Sequence, residues 1–153
     1  GGSPDLSRPS LSRLAGAQGA MLRLGLPFSF EKQYAYARFS LADGYKAMER
    51  LLETAPDITA VFAMSDLMAL GAIRALKDHG LRVPQDISVT GYDGIALGQY
   101  SIPRLATIRQ GMEQLAVRSA KILLHNIKEP GTAVHEVVPF ELIEGESVCK
   151  LNP

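Results

Sequence analysis

Ile58-Thr-Ala-Val-Phe-Ala-Met-Ser-Asp-Leu-Met-Ala-Leu-Gly-Ala-Ile-Arg-Ala-Leu76 is the stretch on which the fold turns. Residues 58–64 form a near-continuous apolar run, the pattern of a parallel strand buried on both faces. Ser65 and Asp66 follow, residue types that start helices. Residues 67–79 then read as a helix closed by Gly80. A buried strand running straight into a helix of this length points to an α/β architecture.

Working outward, the same alternation recurs. Downstream, Pro84 marks a loop, and residues 87–92 read as a second buried strand running into Gly91-Tyr-Asp-Gly94. Residues 105–108 suit a third short strand. Residues 111–128 suit a helix ended by Pro130 and Gly131, and 134–142 alternate as a final strand. Upstream, residues 10–24 carry Leu11, Leu14, Ala15, Met21, Leu22 and Leu24 at helical spacing, with Gly25 as the stop. Residues 34–39 alternate and are aromatic, the signature of a strand. Ser40 to Asp43 then reads as a helix cap with an acid in the first turn. That helix reaches Thr54, with Tyr45, Met48, Leu51 and Leu52 on one face, before Pro56 breaks it. The expected fold class is α/β, with an open, mostly parallel sheet flanked by helices.

Composition narrows the function. The chain has 153 residues, 46% hydrophobic and 21% charged, the make-up of one globular domain. Lys plus Arg and Asp plus Glu number 16 each, so the basic excess of a free-standing nucleic-acid binder is missing. Any DNA contact is expected from a part outside this chain. The single Cys149 supports neither an internal disulfide nor a thiolate metal site, in keeping with a reducing cytoplasm. No apolar run is long enough for a bilayer. The opening Gly1-Gly-Ser-Pro-Asp5 is not a signal peptide.

In an open parallel sheet, ligands sit in the crevice beyond the carboxyl ends of the strands. That rule selects Phe39 and Ser40 after the first strand, Ser65 and Asp66 after the second, and Asp93 after the third. Carboxylates accept hydrogen bonds from hydroxyl groups, and an aromatic ring covers the apolar face of a sugar or base. A polyol-like ligand suits the set. Each residue also suits a structural role: Ser65 and Asp66 as helix caps, Asp93 as a turn residue, and Phe39 as core. Catalytic readings find less support. His79, His125 and His135 fall away from the rim, no histidine spacing fits a metal, and there is no Gly-x-Ser-x-Gly elbow. Gly91 and Gly94 form a lone pair without a phosphate-binding fingerprint. No metal, cofactor or catalytic residue is expected.

From Ala60 onward the sequence resembles the LacI/GalR family of bacterial transcription regulators. Residues 60–76 are similar to the family's strand followed by a Met-Ala-Leu-Gly helix. Gly80-Leu-Arg-Val-Pro-Gln-Asp-Ile-Ser-Val-Thr-Gly-Tyr-Asp93 is similar to its Val-Pro-x-Asp-(Ile/Val)-Ser-Val-x-Gly-(Tyr/Phe)-Asp segment. Ile102-Pro103, Leu105 and Thr107-Ile-Arg-Gln110 resemble its crossover after that segment. The resemblance implies a periplasmic-binding-protein-like lobe that senses a small-molecule effector, a sugar or related metabolite. It assigns Asp93 to effector hydroxyls or a base edge, Arg13 to a reach toward the effector, and Phe39 to stacking. Ser65 stands where many members have asparagine, Asp66 beside it, and Met112 where some members place an aromatic wall. Gly94 departs from a frequent second aspartate.

The resemblance also implies an organisation. Residues 1–110 correspond to the C-terminal lobe. Residues 111–130 form a helix that normally packs on an N-terminal lobe, and 131–153 return to the C-terminal lobe and tail. The DNA-binding headpiece and most of the N-terminal lobe are absent, so the fragment is expected to bind effector weakly. The helix stripe of Met112, Leu115, Ala116, Ile122, Leu123 and Ile127 is expected either to meet a neighbouring chain or to fold back on its own sheet. A homodimer is implied, with Leu70, Ile73 and Tyr100 at its interface. Two alternatives remain open: a periplasmic sugar-binding protein of a transport system, and an α/β enzyme using Asp66 and Asp93 as acid and base.

Overall fold

The computed structural model describes residues 8–129 and 134–151. In chain order the elements are α1 (Arg8–Arg23), α2 (Phe30–Gln33), α3 (Leu41–Thr54), β1 (Ala60–Phe62), α4 (Asp66–Asp78), β2 (Ser88–Thr90), α5 (Ala96–Gln99), β3 (Thr107–Gln110), α6 (Met112–Lys128) and β4 (Phe140–Ile143).

The long helices begin and end where local chemistry directs. Ser40 caps α3 by accepting the Asp43 amide at 3.1 Å, and Ser65 caps α4 by accepting that of Met68 at 3.2 Å. α1 and α4 close in the same way. Gly25 and Gly80 take left-handed φ values of 68° and 75°. The Leu26 amide returns to the Met21 carbonyl and that of Leu81 to Leu76, each at 2.9 Å, capping carbonyls the helix leaves open.

β1 and β2 pair in parallel, with Val61 opposite Val89. Parallel bridges from Thr90 to Ala106 and from Asp93 to Arg109 set β3 beside β2. β4 then runs antiparallel to β3, with Ile108 opposite Leu142. The interior part of the sheet is parallel as expected, and the last strand reverses direction. Between β2 and β3 the ladder is broken by Ser147. Its hydroxyl donates to the Val89 carbonyl at 2.6 Å and accepts the Ala106 amide at 2.8 Å. Its carbonyl accepts the Val89 amide at 2.8 Å. One buried residue of the C-terminal segment therefore stitches the two halves of the sheet.

The core lies between α3, α4 and β2. Met48, Leu76, Val89 and Leu105 are fully buried there. α3 and α4 cross on glycine. A Cβ on Gly71 would lie 2.1 Å from the Leu41 carbonyl oxygen, and one on Gly44 2.4 Å from that of Met68.

Several expectations change. Residues 34–39 belong to no strand described here, although Ala35 and Ala37 are buried and Tyr36 is exposed, the alternation read from sequence. The short α2 and α5 were not anticipated; four residues carry too little periodicity to register. The final strand is confined to Phe140–Ile143. The stop at Pro130 and Gly131 lies outside the described residues. α6 does not fold back on its own sheet. It buries no residue, and Met112, Leu115, Leu123 and Ile127 stand 57%, 41%, 61% and 67% exposed. Its amphipathic stripe meets only the segment around Val134 and Val138, which lines a shallow pocket with Leu115, Ile122 and Leu123 and leaves most of the stripe exposed.

Candidate functional site

The polar rim gathers where β1, β2 and β3 end. Asp93 follows β2 with φ at 123°, a region in which side-chain-bearing residues are strained. Its backbone is held there by β3. The Asp93 amide donates to the Ile108 carbonyl at 2.9 Å, and its carbonyl accepts the Gln110 amide at 3.3 Å. Gly94 has no choice of residue, since a Cβ there would meet Arg109 Cα at 2.5 Å.

The Asp93 carboxylate is also fixed. Gln110 Nε2 donates to its Oδ1 at 2.8 Å, and Arg13 Nη2 approaches the same oxygen at 3.4 Å. Burial raises the pKa of Asp93, and the charge of Asp66 adds to the rise. The Arg13 cation and the Gln110 hydrogen bond oppose it. Arg13 comes from the middle of α1. Its Nη1 donates to the Met64 carbonyl at the end of β1, and its guanidinium lies 3.9 Å over the centre of the Tyr92 ring. Arg13 thus ties α1 to the ends of two strands, and its side chain is only 15% exposed against 31% for Asp93.

Ser65 and Asp66 lie below the rim, 2% and 0% exposed. Ser65 is occupied as the cap of α4. Asp66 Oδ2 accepts the Ile95 amide at 2.7 Å and Oδ1 accepts the Thr107 hydroxyl at 2.5 Å. Both acceptors serve the chain itself, so neither residue presents a polar atom at the surface in this conformation. The sequence rule named residues that do gather at one end of the sheet but could not tell the surface of the rim from its foundation. A Cβ on Gly91 would fall 2.2 Å from Asp66 Oδ1, so glycine there makes room for the carboxylate.

Phe39 and Met112 are 43% and 57% exposed. Of the residues expected at a dimer contact, Tyr100 stands 85% exposed. Leu70 is half-buried against the core, and Ile73, 9% exposed, is part of that core and has little surface to offer a partner. Leu97 and Ile102, exposed by 51% and 94%, flank Tyr100 in a stretch free of charged residues. Among the described residues no cluster of His, Cys, Asp or Glu is arranged for a metal, and no helix is long and apolar enough to cross a membrane. An apolar cavity of about 180 Å³ lies between α1, α3 and β1, lined by residues such as Leu14, Met21, Leu51 and Val61. It belongs to the core side and has none of the rim's charges.

Two residues of the site escaped the sequence reading: Gln110, which holds Asp93, and Thr107, which holds Asp66. A signal existed. The third strand runs to Gln110 rather than stopping at residue 108, and the rule that picks residues at strand ends would then have reached it.

An open α/β sheet with a fixed carboxylate, a guanidinium and an amide at the carboxyl ends of its strands is laid out as small-molecule binding folds of this class are. Comparison with known proteins agrees. The model of the periplasmic binding protein-like domain matches residues 2–148. The chain is 38% identical over 138 residues to the HTH-type transcriptional regulator CelR of Thermobifida fusca, covering 90% of this chain and 40% of that protein. It is 39% identical over 109 residues to the regulator MalR of Clostridium butyricum, covering 71% and 32%. The structure of a CelR–cellobiose complex superposes with a TM-score of 0.85 at 36% identity, over 90% of this chain and 42% of that one. The lac repressor dimer bound to operator and the anti-inducer ONPF does so with 0.82 at 30%, over 92% and 48%. The chain belongs to the periplasmic binding protein-like family, in the LacI-type branch formed by the effector-binding regions of transcription regulators. It spans less than half the length of the curated relatives it matches.

Proposed function

We propose that this chain is the effector-sensing part of a LacI-type transcription regulator and that its rim receives a sugar or related hydroxylated metabolite. The observation that carries the reading is Asp93: a partly exposed carboxylate, strained in its backbone and fixed in its side chain, at the end of the central strands. Folding a residue into that state is costly, and a hydrogen-bond acceptor for ligand hydroxyls gives it a purpose. Support comes also from relatives solved with cellobiose and with ribose.

On this reading residues 1–110 and 131–153 make the C-terminal lobe. The segment 111–130, which contains α6, covers the apolar stripe of that helix on an N-terminal lobe, and DNA is contacted only by a helix-turn-helix headpiece elsewhere in the regulator. The effector acts through its difference in affinity for two arrangements of the lobes. Arg13 steadies Asp93, Phe39 and Met112 supply apolar contact, and Ser65 and Asp66 support the rim from beneath. The protein is a cytoplasmic homodimer without cofactor, joined through the exposed Tyr100 surface together with its neighbours Leu97 and Ile102. It is not an enzyme. Asp66 is committed to two chain donors, and Asp93 has an arginine and an amide beside it rather than a nucleophile to activate.

The test is a titration of the isotope-labelled chain with millimolar ribose, cellobiose and adenine, followed by amide and carboxyl NMR shifts. One class of ligand should perturb Arg13, Asp93 and Gln110 together, and Asp93→Ala should abolish the response. Perturbations scattered away from the rim, or unchanged in Asp93→Ala, would overturn the assignment. A gene without an upstream helix-turn-helix would reject the DNA-binding part and favour a transport receptor.

A further inference from the structure

We infer that Gln110 is a positioning residue that turns Asp93 into a single-oxygen acceptor. A carboxylate oxygen accepts about two hydrogen bonds, and a free carboxylate offers both oxygens to a ligand. Here Oδ1 carries two donors, Gln110 Nε2 at 2.8 Å and Arg13 Nη2 at 3.4 Å. Among the described residues no donor reaches Oδ2. The side chain is partly exposed, so Oδ2 is the atom left to face a ligand.

Of the two donors on Oδ1, Gln110 is the nearer. The distance to Arg13 is long for a hydrogen bond, and Arg13 is also engaged with Met64 and Tyr92. Gln110 further accounts for the direction in which Oδ1 points. Its own amide is bonded to the Asp93 carbonyl, so backbone and side chain of one residue grip backbone and side chain of the other. Rotation of the carboxylate about its last bond would break the Gln110 contact. The consequence, which rests on the effector reading above, concerns ligand class. A ligand meets Asp93 through Oδ2 alone, and a vicinal diol cannot straddle both oxygens as it does on an unencumbered aspartate.

The positioning role is tested without ligand, so its failure is separate from failure of the effector reading. In the native chain the Gln110 side-chain amide protons are followed by NMR as the Asp93 carboxyl carbon is titrated with acid. The two should move together with one midpoint. In Gln110→Leu, which removes the donor, the Asp93 midpoint should rise by about one pH unit. In Gln110→Lys, which supplies a charged donor, it should fall. A residue that merely supports the fold would not move the midpoint in opposite directions. Gln110 amide protons indifferent to Asp93 protonation, or an Asp93 midpoint unmoved by either substitution, would overturn the inference. The native titration alone decides should a variant fail to fold.

Discussion

Removal of the Asp66 carboxylate should be among the most damaging single changes to this fold, and the damage can be apportioned. Asp66 is fully buried and accepts from the Ile95 amide and the Thr107 hydroxyl. Asp66→Ala strands both donors in the interior. Each stranded donor costs about 1–3 kcal/mol, so the loss should be about 4 kcal/mol. Asp66→Asn should cost roughly half of that by the same reasoning. Its carbonyl oxygen keeps the Ile95 amide, which can only donate. Its NH2 turns to Thr107, whose hydroxyl rotates to accept. Thr107→Val removes one donor and leaves one Asp66 oxygen short of a partner. In the cycle with Asp66→Ala the two losses should therefore fall short of additivity by more than 1 kcal/mol. Urea denaturation followed by circular dichroism, with m held common across the set, measures all four states. An Asp66→Ala loss below about 1 kcal/mol would refute the argument. So would strict additivity with Thr107→Val, because the bonds would then contribute nothing that depends on being made together.

Three further outcomes are expected. Gly71→Ala forces a methyl group against the Leu41 carbonyl at the α3–α4 crossing and should destabilise by about 3 kcal/mol, read from the same denaturation curves. Asp93→Asn should stabilise the chain at pH 7. The folded-state pKa of Asp93 is raised, so its unfavourable charge appears as pH climbs past the unfolded value of 3.8, and the advantage should vanish below that pH in thermal melts. Leu123→Glu with Ile127→Glu should leave the stability of the chain within about 0.5 kcal/mol of native, because both side chains are already exposed, while lowering binding of an apolar dye. A large loss of stability there would mean that α6 is packed on its own lobe.

The parts of the fold written plainly in the sequence are those carried by long periodic runs. α3 and α4 announce themselves because burial of helix faces leaves a regular apolar signature. β1 shows as an apolar run, but it is not buried on both faces as that run suggests, since Ala60 and Phe62 are exposed and Val61 is half-buried. The direction of β4 was not legible. An alternating strand reads the same whichever way it runs, and only its contacts with β3 decide. At the site, the strand-end rule located Asp93, while α1 delivers Arg13 to it from 80 residues away in sequence. No local pattern encodes that meeting; it came from resemblance. The rule also nominated Asp66 as a contact when its neighbours Ile95 and Thr107 claim it, a fact that depends on residues far along the chain. Ile73 was misjudged for a related reason. An apolar helix that is covered on several sides gives no hint of which side faces outward.

The left-handed turn at Asp93 and Gly94 also bears on how such a domain tolerates change. Glycine at position 93 would relax the backbone, and position 94 already holds the one residue that fits beside Arg109. On the proposed reading, selection for thermal endurance alone would therefore drift toward a silent variant: sturdier, correctly folded, and deaf to its signal. Stabilising libraries built on this scaffold should hold position 93 constant, because on that reading the easiest gain in robustness erases the message.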